Sequence, residues 1–189
     1  MFQARRGYAS SDDAGSGAAS ANAPRRGRNG RPPRTALMHG IAMLSRREYS
    51  RHELGNKLRQ AKDGFSADDI EAALDRLVDE KWQSDLRFAQ ALVRMRGNSG
   101  YGPLRIRNEL QTHRIAADEV DDAMSQFEGK WEVIACDWVE RRYAAAIDGL
   151  DRDERLGVLR KASDFLTRRG FDYATMRAAI AGLERGGKP

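Results

Sequence analysis

The chain has 189 residues, 40% of them apolar and 32% charged, with a net charge of +5 and a mean hydropathy of −0.71. No apolar run approaches the length of a bilayer span, no apolar signal core stands near Met1, and the lone Cys136 excludes an internal disulfide, so a cytoplasmic, reducing location is expected. His39, His52 and His113 lack ligand spacing, and the loop Gly97–Gly102 follows no strand, so no metal, no cofactor, no catalytic residue and no enzymatic activity are expected.

Residues 1–34 are rich in Ala, Ser, Gly and Arg and read as a disordered tail, because too few apolar groups stand there to offset the chain entropy of ordering. Seven arginines and two aspartates in that stretch account for the whole net charge, so the basic and acidic residues of the remainder balance.

From residue 35 the signals are those of helices. Thr35 precedes a face of Leu37, Ile41 and Leu44, and Ser50 with Glu53 reads as a capping box ahead of Leu54, Leu58 and Ala61, with Gly64 as its stop. Ser66 with Asp69 opens a third helix carrying Ile70, Ala73, Leu74 and Leu77. A second unit begins near Ser84 with Phe88, Ala91, Leu92 and Met95 inward. It breaks at Gly97–Gly100, then restarts at Pro103 with Ile106 and Leu110 on one face. A third begins near Glu132 with Ile134, Ala135, Trp138 and Val139. Asp151 with Glu154 caps its next helix, Gly170 stops that one, and Asp172 caps the last.

These units are copies. When Leu58, Leu110 and Leu166 are aligned, an apolar residue follows each after a short loop (Phe65, Ile115, Phe171). Five residues further on come Ile70, Val120 and Met176, and four beyond those Leu74, Met124 and Ile180, each preceded by alanine. The fold class expected is therefore all-α: three tandem three-helix repeats, residues 35–83, 84–131 and 132–189, in an elongated, curved array behind the tail. The aromatic residues Trp82, Trp131, Trp138, Tyr143 and Phe165 read as packing groups, whereas Tyr101 stands in a glycine loop among arginines, available to a partner.

Gly100-Tyr101-Gly102-Pro103-Leu104-Arg105-Ile106, followed by Glu109-Leu110, resembles the central motif of the RecX family of recombinase regulators. The run Leu44–Leu54 resembles that family's opening repeat, as does Ile70–Leu77 leading to Trp82, and the resemblance covers residues 36 to 184. It implies a non-enzymatic modulator, mainly an inhibitor, of the RecA recombinase. Such a protein lodges as a monomer in the groove of the RecA filament on single-stranded DNA and suppresses ATP hydrolysis, strand exchange and filament growth in recombination, DNA repair and the SOS response. The contact edge expected on that basis is Arg46, Arg47, Arg51, Arg94, Arg96, Tyr101, Arg105 and Arg107, with weak direct DNA contact through the basic tail and repeats one and two. A helical protein that binds DNA directly, without a recombinase, is the competing expectation, and a scaffold for some other protein is a third.

Overall fold

Capping side chains divide the chain into helices. The computed structural model describes residues 35–186; the expected tail, residues 1–34, and residues 187–189 lie outside the described part. Thr35, Ser50, Ser66 and Ser84 each accept a backbone N–H three residues on, opening α1 (Ala36–Leu44), α2 (Arg51–Arg59), α3 (Ala67–Asp79) and α4 (Asp85–Asn98). α5 (Pro103–Thr112) starts on its proline, while α6 (Ala117–Ser125) and α7 (Trp131–Ile147) have no side-chain cap. Asp151 caps α8 (Arg152–Arg169) and Asp172 caps α9 (Tyr173–Glu184). The described residues are all-α, in three tandem three-helix repeats.

Each repeat has its own core. Leu54, Leu58, Ile70, Leu74 and Leu77 form the first, Phe88 to Met124 the second, and Ala135 to Leu183 the third. The aligned leucines Leu58, Leu110 and Leu166 are all fully buried. They sit where a large-to-small change removes both transfer energy and packing, about 2–5 kcal/mol each. In the third repeat the last helix is turned: Thr175, Ala179 and Leu183 are buried, while the aligned Met176 and Ile180 are only half-buried.

Several local expectations are corrected. Ser50 caps α2, but the Glu53 carboxylate turns away to Arg47, so the reciprocal box is absent there; the complete capping box is the one at Asp151 and Glu154. Gly64 has φ +66° but lies beyond the end of α2, which is capped by Gln60. α4 runs on through Gly97, whose hydrogen faces the Phe127 ring. Trp82 is 48% exposed and packs in no core, whereas Trp131 stacks on Phe127 at 4.4 Å between centroids and joins the second and third cores.

A left-handed residue stands immediately before the first apolar residue of the turn into each last helix. It is Gly64 (φ +66°) before Phe65, Arg114 (φ +58°) before Ile115, and Gly170 (φ +84°) before Phe171. The sequence marks two of the three with glycine and hides the other behind an arginine.

The first two repeats are joined by side chains. Asp85 accepts the Arg51 N–H at 2.7 Å and a Gln83 amide hydrogen at 2.7 Å; that amide also reaches the Tyr49 carbonyl. Arg87 pairs with Glu48 at 3.0 Å, and His113 sits on the Phe88 ring with Ser50 at 3.5 Å from its Nδ1. Among the described residues no helix is long and apolar enough to cross a membrane.

Candidate functional site

The central glycine motif is the joint between repeats two and three. The Gly102 N–H donates to the Arg169 carbonyl at 2.8 Å, and the Leu104 N–H to the Gly170 carbonyl at 3.0 Å. This main-chain approach explains the glycines. A Cβ on Gly102 would lie on the Gly170 carbonyl, one on Gly170 would meet Arg105, and one on Gly100 (φ +76°) would enter the Trp138 indole. Trp138, expected inward within its own repeat, is half-buried and faces this joint.

Around the joint the arginines gather on Tyr101. The guanidinium carbons of Arg96, Arg105 and Arg169 lie 5.5, 4.9 and 4.8 Å from its ring centroid, and Arg169 also faces Trp138 at 4.6 Å and Phe165 at 5.0 Å. Arg96 is held bidentately by Glu109, with Nη2 at 2.6 Å. Donating to the Glu109 carboxylate secures its proton, against the opposing effect of burial. Arg105 and Arg169 have no carboxylate partner among the described residues; they donate to main-chain carbonyls, Arg105 to Arg168 and Arg169 to Ser99 and Gly100. Two positive charges are thus fixed beside one aromatic ring without compensation, which raises the potential there and favours an anionic partner.

Two neighbouring clefts share the Arg96–Glu109 pair as a wall. One, about 410 Å³, holds Arg96, Tyr101, Arg105 and Asn108. The other, about 290 Å³, lies between repeats one and two, with Phe88, Leu92 and Met95 as its apolar floor and Arg47 on its rim. Arg47 is clamped by Glu53 at 2.6 Å and lies 3.7 Å over the Tyr49 ring; its hydrogen bonds to the Glu53 carboxylate hold its proton more firmly.

Curated relatives share most of this chain. "Regulatory protein RecX" of Xanthomonas campestris pv. campestris (strain B100) is 45% identical over 159 residues, 84% of this chain and 93% of the relative. The protein of that name from Stenotrophomonas maltophilia (strain R551-3) is 42% identical, over 81% of this chain and 90% of the relative. The chain belongs to the RecX family. The family's model for "RecX, first three-helix domain" matches residues 36–77, and that for "RecX, second three-helix domain" matches residues 84–124. The crystal structure of RecX from Lactobacillus salivarius shares the fold with a TM-score of 0.66 at 22% identity, covering 79% of this chain and 95% of that one.

In this RecX protein, Arg47, Arg96, Tyr101 and Arg105 come together along the two clefts. Arg51 does not join them: it lies on a separate face, bridged to Glu71 at 3.1 Å and Asp75 at 2.8 Å. Arg107 reaches back to Asp121 at 2.6 Å, and Arg46 and Arg94 are exposed and line neither cleft. Tyr101 is half-buried against the second core, with one face given to the arginines. Arg169 was not legible as a site residue, because its role depends on an approach between repeats some seventy residues apart. The signal available was Gly170, a helix stop whose αL geometry also lets the Arg105 backbone approach.

Proposed function

We propose that the chain is a non-enzymatic regulator of the RecA recombinase. It binds along the groove of the RecA filament on single-stranded DNA and suppresses ATP hydrolysis, strand exchange and filament growth. Membership of a family whose curated members are named regulatory proteins supports this reading, and the observation that carries it is the row of arginines and Tyr101 across both repeat joints. The proposed contact edge is Arg47, Arg96, Tyr101 and Arg105, with Arg169 added; Arg46, Arg51, Arg94 and Arg107, expected with them, stand outside it. Paired arginines present both signs of charge, which suits a mixed surface of protein and phosphate, and repeats that engage neighbouring protomers gain affinity through their linkage. A monomer acting in the cytoplasm, in DNA repair and the SOS response, is part of this reading.

The test compares binding to assembled filament, to free RecA and to bare single-stranded DNA, alongside RecA ATP turnover. Tightest association with the filament and suppressed turnover are expected. The competing reading, a direct DNA-binding protein, draws its support from the uncompensated Arg105 and Arg169. It predicts equal affinity for bare DNA with a steep salt dependence.

A further inference from the structure

The third repeat carries a groove that the other features of the molecule leave unused. It runs between α7 and α9 and holds about 300 Å³. The second repeat shows why it is open. Ala89 and Val93 are fully buried on α4, as Ala135 and Val139 are on α7, which matches Gln90 to Cys136. Aligning Leu110 with Leu166 matches Gln126 to Gly182. In the second repeat Gln90 donates to Gln126 at 2.7 Å and bridges the helices. In the third a thiol and a hydrogen stand in their place, and a Cβ on Gly182 would meet nothing within 4 Å.

The floor is apolar, with Leu183 buried beneath and Val133 54% exposed at the mouth. Glu132, Asp137 and Glu140 stand along α7; Asp137 also lies 3.7 Å from Arg141, which is outside the groove, and Arg185 is the one basic residue in the lining. That imbalance is felt at the floor: burial pushes the Cys136 thiol pKa up, the three carboxylates push it further, and only Arg185 opposes them. An apolar slot under net negative potential is complementary to a basic segment with an apolar anchor, not to an acidic or neutral one.

We propose that the α7–α9 groove docks a basic peptide segment of a partner protein, seating one apolar side chain over Cys136 and Gly182 with its lysines or arginines against Glu132, Asp137 and Glu140. Glu132–Glu140 spans about 12 Å of helix, room for two turns of such a segment. This surface is distinct from the arginine row, and its test needs no recombinase.

The probe is a fluorescein-labelled 12-residue peptide with one leucine flanked by lysines, titrated into the full chain by anisotropy. Saturable binding is expected, weakened about tenfold or more by Cys136→Gln/Gly182→Gln, which installs the bridge the second repeat already uses. It should also be weakened by leucine-to-serine exchange in the peptide. Without any variant, the bound peptide is expected to slow the reaction of Cys136, the chain's only thiol, with a maleimide reagent. Absence of saturable binding, unchanged binding by the bridged variant, equal binding of the peptide with glutamates for lysines, or an unprotected thiol would each overturn the proposal. So would a wild-type dimer in sedimentation that the bridged variant abolishes, since a second copy would then be the occupant.

Discussion

Gly102 lies where two backbones meet, and no other residue has room there. The Gly170 carbonyl occupies the position of a Cβ, and a main-chain atom cannot rotate out of the way as a side chain does. Gly102→Ala is expected to destabilise the fold by about 2 kcal/mol or more, measured by urea unfolding, with Arg169 drawn off Tyr101. Arg114 presents the reverse case. It holds φ +58° where its counterparts are glycines, at a cost of roughly 1 kcal/mol for a residue with a Cβ. Arg114→Gly is expected to leave stability unchanged or to raise it by up to about 1 kcal/mol in the same assay. The glycines were legible as turn formers; their second use, admitting a neighbouring repeat, was not, because it depends on a partner surface far away in sequence. Arg169 was missed for the same reason.

At the scale of the helix, caps decide where elements begin. Asp151 accepts from both Asp153 and Glu154, and the Glu154 side chain returns to the Asp151 N–H at 3.3 Å. Asp151→Ala is expected to cost about 1 kcal/mol, read as a lower Tm. The helices were legible because local chemistry dictates them: hydroxyls and carboxylates at starts, apolar residues four apart, and glycine at the one stop it caps, Gly170. The Ser50 box was not, since Arg47, six residues before Glu53, competes for that carboxylate. Near the start of α6, Glu119 lies close to Asp85 and Asp118. Burial first, then these like charges, raise its pKa above the ordinary 4.5. The folded chain therefore keeps a proton that the unfolded chain releases, so this group's contribution falls as pH rises from about 4.5 through the folded value. Glu119→Gln is expected to flatten that part of the stability-against-pH curve and to raise stability at neutral pH, checked by Tm across pH 4 to 8.

Over the whole molecule, the threefold recurrence was legible from the aligned leucines, each of which is fully buried. The binding row was legible only in part. Charge could be read along the chain, but not which arginines are neutralised by Glu53, Glu71, Asp75, Glu109 and Asp121. Arg105, left without a carboxylate, is the sharpest functional probe: Arg105→Glu is expected to weaken filament association about tenfold or more, with helicity preserved by circular dichroism. Unchanged suppression of ATP turnover would remove it from the contact edge. The two joints also differ in what holds them. The first is laced by side chains on both sides, Arg87 to Glu48 and Gln83 to Asp85; the second is pinned by the Gly102 and Leu104 peptide groups and by Arg105 and Arg169, every one of these bonds ending on a main-chain carbonyl. Lineages of this protein can therefore retune the first seam one residue at a time, trading a charge here for an amide there. The second leaves no such freedom at Gly102, where the first carbon of any side chain would collide with a fixed main-chain oxygen.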